Sequence, residues 1–281
     1  MNKKSIGQKF LHFPLTKIVI GLIVIGVTVG IGQLLFQKIL DLTSVDTEIK
    51  NLIVGIFVAL HAIVTYSVLF RFYEKREVTE FSKRGMLKSL SVGIALGVIL
   101  QSLTILVIYL KGGYSIISIN SILFIIPPLT MAFTSAITEE ILIRGVVFRI
   151  TEEKLGSYFA LLISAALFGA LHIANPNSSL TAGVGLAIQA GLLLGAAYIY
   201  SGNLWFPIAI HFAWNFTQSA IFGANVSGNA ISKTLITSKI EGAELFTGGG
   251  FGPEGSMQAT LFCLTATIIL LILSHRAGKI R

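Results

Sequence analysis

Long apolar runs constrain this chain more than any motif does. A helix that crosses a bilayer needs about 20 predominantly apolar residues. Eight segments of the 281-residue sequence approach that length, roughly 16–36, 51–72, 89–110, 122–150, 157–173, 181–200, 204–222 and 257–274. A mean hydropathy of +0.82 with only 12% charged residues leaves too little polar surface for a water-soluble globule. The expected fold is therefore all-α: a polytopic membrane helical bundle of about eight transmembrane helices, one integral membrane domain over 1–281. Pro127 and Pro128 interrupt the fourth segment, which is the least regular. The first segment lacks a small-residue cleavage pattern and reads as a retained helix, not a signal peptide.

The net charge of +8 would suggest nucleic acid for a soluble chain, but here the placement of the basic residues explains it better. With the N-terminus inside, Lys3, Lys4 and Lys9 fall in the cytoplasm, as does the run Arg71, Lys75, Arg76, Lys83, Arg84 and Lys88. Arg149, Lys154 and the tail residues Arg276, Lys279 and Arg281 fall on the same side, against Lys38, Lys50, Lys111, Lys233 and Lys239 opposite. This is the positive-inside pattern. It predicts a multi-pass protein of the cell membrane with both termini cytoplasmic, whose partner surface is lipid and not nucleic acid. A single cysteine, Cys263, permits no internal disulfide and no cysteine-rich metal site.

Two polar connections stand out. "EKREVTEFSKRG", Glu74 to Gly85, reads as a surface helix or loop at the inner leaflet whose mixed charges form a solvated face. Gly223 to Ser256 reads as a folded outer loop. Its "GGGFGPEGS" lacks the Gly-Lys-Ser/Thr ending of a phosphate-binding loop. Gly26 with Gly30 and Gly191 with Gly195 have the four-residue spacing of close helix packing in membranes.

Ionisable groups within the apolar runs are functional candidates, because a charge at mid-membrane costs ~2.5–3.5 kcal/mol on insertion scales. Glu139, Glu140 and Arg144 in "AITEEILIRG", His172 in "FGALH", and His211 with Asn215 in "HFAWN" meet that test. His61 in "ALHAIV" reads as a packing residue. Neighbouring helical residues point about 100° apart, so Glu139 and Glu140 serve different purposes. Glu140 precedes Arg144 by four residues, the favourable order for an ion pair that orients the helix. Glu139 is left as the unpaired carboxylate, suited to general acid–base work.

Counting ~1.5 Å per residue from the inner surface puts Glu139 and His172 at similar depth, with His211 and Asn215 somewhat shallower. A glutamate and a histidine can activate water for peptide hydrolysis while a second histidine and an asparagine hold the oxyanion. The expectation is a cofactor-free site. The alternative is zinc held by Glu139, His172 and His211 with water as fourth ligand, although the sequence has no HExxH.

The order Glu139-Glu140 with Arg144, Phe168 with His172, and His211 with Asn215 resembles the EExxxR, FxxxH and HxxxN motifs of a known family. This is the CAAX prenyl protease and bacteriocin-processing family of intramembrane proteases, also called abortive-infection-like and related to the Ras-converting enzyme. The likeness covers about 120–220, with "FGPEGS" also similar to bacterial members. It implies a catalytic Glu139 partnered by His172, an oxyanion site of His211 and Asn215, and supporting roles for Glu140, Arg144 and Phe168. Family members have been described both as metalloproteases and as glutamate-dependent proteases. Bacterial relatives imply cleavage of a small membrane-associated peptide or protein as substrate. A non-catalytic bacteriocin-immunity or scaffold protein, or a proton-coupled transporter, are the rival readings.

Overall fold

A computed structural model describes residues 6–281, so Lys3 and Lys4 of the basic N-terminal set lie outside the described residues. Helices α1 (Ile6–Leu11), α2 (Pro14–Asp41), α3 (Thr47–Tyr73) and α4 (Met86–Leu110) lead to strand β1 (Tyr114–Ile119). A single 3₁₀ turn, Ile122–Ile125, then runs into α5 (Ile126–Glu140), a π-helical stretch Ile141–Phe148, and α6 (Arg149–Leu155), one continuous helical path. After α7 (Ser157–His172) come α8 (Leu180–Leu186), a π turn Ala187–Gly191, and α9 (Leu192–Ser201). The chain ends with α10 (Trp205–Phe216) and its π turn Thr217–Ile221, β2 (Ile236–Ile240), α11 (Glu244–Thr247) and α12 (Met257–Arg276).

All eight predicted apolar segments are helical, and the protein is a polytopic, multi-pass helical bundle. Among the described residues, six helical paths are long and apolar enough to cross a membrane. The other two, α7 and α10, are shorter than a full span. Nearly all of α10 is buried, so its apolar sequence serves contact with neighbouring helices more than contact with lipid. The one departure from an all-helical chain is a two-stranded antiparallel sheet, β1 on β2, with Tyr114 opposite Ile240, Ile119 opposite Ile236 and a bulge between Ile116 and Ser118. The β-branched sequence of β1, "YSIISI", suits a strand.

Pro127 and Pro128 do not break the fourth segment. They sit in the first turn of α5, where a missing N–H costs no hydrogen bond. Within a bilayer, apolar burial supplies little drive for helix association, and close packing must supply it. A Cβ added at Gly97 would lie 2.5 Å from the Ile210 carbonyl oxygen, and one at Gly93 would lie 2.9 Å from that of Phe206. Thus α4 and α10 meet backbone to backbone. Gly191 packs likewise on Ala165, and Gly195 on Leu161. Gly26 and Gly30, in contrast, have nothing within 4 Å of an added Cβ, so that pair mediates no helix packing. His61 packs edge-on to Phe57 and against Gly32, between α2 and α3.

The expected solvated face of residues 74–85 holds for Lys75, Glu77, Lys83 and Arg84, which are exposed, but not for Glu74 and Glu80. Glu80 is buried and Glu74 nearly so, and the segment folds back onto the bundle. The Glu80 carbonyl accepts from Leu204 N–H at 2.9 Å. The Ser82 carbonyl accepts from the Trp205 indole at 3.1 Å. Arg149, whose charge needs partners at low exposure, draws the two carboxylates inward (2.9 Å to Glu74, 3.4 Å to Glu80).

Candidate active site

Three helical paths deliver the motif residues to one place. Glu139 and Glu140 end α5, His172 ends α7, and His211 and Asn215 lie one turn apart on α10. Glu139 is 34% exposed, while Glu140 and Arg144 are fully buried. The two glutamates therefore face different surroundings, as their adjacency on a helix requires. Glu139 turns into a cavity of about 740 Å³ with His172, His211 and Asn215 on its wall. Apolar walls come from Leu22, Met131, Leu142, Leu167 and Leu171, and Asn175 with 226–227 and 229–231 forms the remaining rim.

Both histidines present Nε2 to the same carboxylate oxygen. Glu139 Oε2 is 3.8 Å from His172 Nε2 and 4.0 Å from His211 Nε2. It is buried with no hydrogen-bond partner among the described residues. Each ring is held from behind. His172 Nδ1 lies 2.8 Å from the Phe168 carbonyl, an acceptor, so that nitrogen carries the proton. His211 Nδ1 lies 3.0 Å from Glu140 Oε1. His211 is not stranded at a shallower level, because Leu204, just before α10, is itself buried beneath Glu80.

Glu140 thus does more than the expected ion pair. Its Oε1 accepts from Arg144 at 2.8 Å and also orients His211. Arg144 reaches on to the carbonyls of Ala190 (3.2 Å) and Gly191 (3.1 Å), where π geometry gives way to α9. Its guanidinium lies 4.8 Å from the centre of the Phe168 ring. That ring packs 4.6 Å from His172 and edge-on to His211 at 5.9 Å. All three π turns border this cluster, in keeping with the frequent placement of π-bulges at functional sites.

One further carboxylate escaped the sequence reading. Glu254, in the glycine-rich loop, is buried and has no basic partner among the described residues. It accepts from the Ser227 N–H and, at 3.3 Å, from the Trp214 indole. A water-sized apolar space of about 30 Å³ separates it from His211 and Asn215. Burial raises its carboxyl above the ordinary value, which these hydrogen bonds only partly offset. It ties the rim residue Ser227 to α10 beside Asn215. The signal available in the sequence was the carboxylate itself, alone in "FGPEGS" before an apolar helix.

A zinc site at Glu139, His172 and His211 would place its donors about 3.3 Å apart, given bonds of 2.0–2.1 Å in a tetrahedron. The two separations observed are wider, and among the described residues no group of three is arranged as a metal set. The side chains as placed do not fit the ion.

Residues 121–217 match the family model of the Rce1-like type II CAAX prenyl endopeptidases. No curated protein and no solved structure matches the chain. That matched segment holds every motif residue from Glu139 to Asn215, and over it the chain is similar to the Rce1-like type II CAAX prenyl endopeptidases.

Proposed function

We propose that this protein is an intramembrane endopeptidase in which Glu139 and His172 activate water. The observation that carries the reading is the convergence of two imidazole Nε2 atoms on one unpartnered carboxylate oxygen inside a large cavity. Water hydrogen-bonded to Glu139 Oε2 loses its proton to the carboxylate as its oxygen attacks the peptide carbonyl carbon. His172 Nε2, unprotonated because Nδ1–H is committed to Phe168, orients that water as an acceptor. The tetrahedral oxyanion is received by the Asn215 amide and His211. The proton held by Glu139 then passes to the leaving nitrogen as the C–N bond breaks.

For His211 Nε2 to donate while Nδ1 donates to Glu140, the ring must be the imidazolium. Charge balance favours that form: Glu139 and Glu140 supply two negative charges against Arg144 and His211. Glu140 and Arg144 then act as positioning residues. The cavity's largely apolar walls suit a peptide segment of a membrane-associated peptide or protein as substrate. No step is routed through a metal.

The test is purified protein in detergent with a quenched library of short apolar peptides, wild type beside Glu139→Gln, each with and without chelator. Cleavage by wild type with or without chelator, and loss in the variant, is expected. Loss on chelation with recovery on adding zinc would replace this mechanism with the metal one. Unchanged cleavage by Glu139→Gln would sink both.

A further inference from the structure

The helices fix which parts of the chain share each end of the bundle. One end gathers residues 74–85, the α6–α7 turn, residues 202–204 and the C-terminus: Ser157 N–H donates to the Arg281 carbonyl and Leu204 N–H to that of Glu80. The other gathers residues 111–125, 173–179 and 222–256, where Asn175 and Asn177 side chains bond the carbonyls of Ser227 and Gly228. Lys233 reaches Glu48 at this same end. The first end carries Arg71, Lys75, Lys83, Arg84 and Lys88, then Lys154, Arg276, Lys279 and Arg281. The second carries Lys38, Lys50, Lys111, Lys233 and Lys239, of which Lys233 pairs with Glu48, Lys239 pairs with Glu241 at 2.8 Å, and Lys111 lies over the Phe246 ring.

The cavity is just as asymmetric. It runs from Glu139 to the exposed Asn229 and Ala230, and no residue of the basic end lines it. Toward the basic end the way is closed by Tyr66, Phe70, Phe148, Ile150, Leu161 and Leu204, all buried in one core cluster. Basic residues near membrane helix ends stay in the cytoplasm. We infer that the cavity receives its substrate from the extracytoplasmic side, so that the chain acts on an extended peptide segment exposed there, on an exported peptide or the outer part of a membrane protein. The chemistry in this inference rests on the peptidase reading above; the side rests on charge and shape.

Cysteine accessibility tests the side without requiring catalysis. The native Cys263 is buried, 2% exposed, and gives little background. Ala230→Cys and Asn229→Cys place a thiol on the exposed rim, and Lys83→Cys places one at the basic end. A membrane-impermeant maleimide added to intact cells is expected to label both rim variants and leave Lys83→Cys unlabelled, with the reverse on sealed inverted vesicles. The opposite pattern, labelling of one variant from both sides, or no labelling of either rim variant from any side would overturn the inference. In the Glu139→Gln background the pattern is expected to be the same, so a failed peptidase reading leaves this result legible. A charged, impermeant member of the quenched peptide library is expected to be cleaved by right-side-out vesicles and spared by sealed inverted ones. The converse would overturn the assignment of the substrate's side.

Discussion

Asn215 and Glu140 separate chemistry from architecture at the scale of single side chains. Asn215→Ala removes one oxyanion donor, and such donors contribute about 10²–10³ in kcat. The expected result is a kcat loss of that order with KM little changed, read on any peptide that the wild type cleaves. Glu140→Gln keeps an acceptor for both His211 and Arg144 but leaves the buried guanidinium uncompensated. Breaking a buried pair in this way costs about 3–5 kcal/mol. Thermal unfolding in detergent is expected to show a large drop for Glu140→Gln and almost none for Glu139→Gln, whose carboxylate is half open to the cavity. Equal Tm values for the two variants would refute this division of labour. The Glu140–Arg144 pair was legible because four-residue spacing on a helix stacks side chains. The contact from Glu140 to His211 joins residues 71 positions apart and has no local signature. Glu254 is similarly tied to Trp214, 40 positions away.

Elements hold these side chains in register, and the tightest joint is between α4 and α10. An alanine at Gly97 would set its Cβ against the Ile210 carbonyl and the Ala213 methyl, neither of which can turn aside. Overpacking of this kind costs about 1–3 kcal/mol. Gly97→Ala is expected to lower Tm and also cleavage, since Ile210 immediately precedes His211; Gly26→Ala, into open space, should change neither. Measuring Tm and kcat for both variants checks this, and a harmless Gly97→Ala would show that α10 tolerates displacement. All eight apolar segments were legible as helices, because hydropathy reports what avoids water. It does not report whether the neighbour is lipid or protein, which is why the buried α10 was expected to be a full span; α7 keeps an exposed apolar face and is simply shorter than one. Glycine spacing failed for the same reason: it identifies a groove at Gly26 and Gly30 but not the absence of a helix to fill it. The β1–β2 pairing joins segments on either side of the catalytic helices and could not be seen from either strand alone.

Across the whole molecule, the basic end is closed by a carboxylate clasp remote from the site. Glu74 accepts from Lys17 (2.9 Å) and Arg76 (2.8 Å) and forms an ion pair with Arg149 (2.9 Å), so it joins the start of α2, the connection after α3, and α6. Burial would raise its carboxyl, but Arg149, Lys17 and Arg76 outweigh that and hold it below the ordinary value of 4.5. A depressed native value means that the unfolded chain binds the proton more readily. The clasp therefore stabilises fully above the unfolded value and loses its contribution as pH falls through the native one. Charge-assisted hydrogen bonds contribute about 1.5–3 kcal/mol, and this carboxylate is shared among three cations. Thermal unfolding in detergent is expected to place Glu74→Gln below wild type by a constant margin from neutral pH down to about 5. The margin should then close on further acidification, because the wild-type carboxylate is being neutralised as well. A margin that stayed unchanged down to pH 3 would mean that the three cations leave Glu74 without a net stabilising charge. Peptide cleavage at neutral pH should fall little in the variant, because the aromatic core of Tyr66, Phe70 and Phe148 lies between the clasp and Glu139.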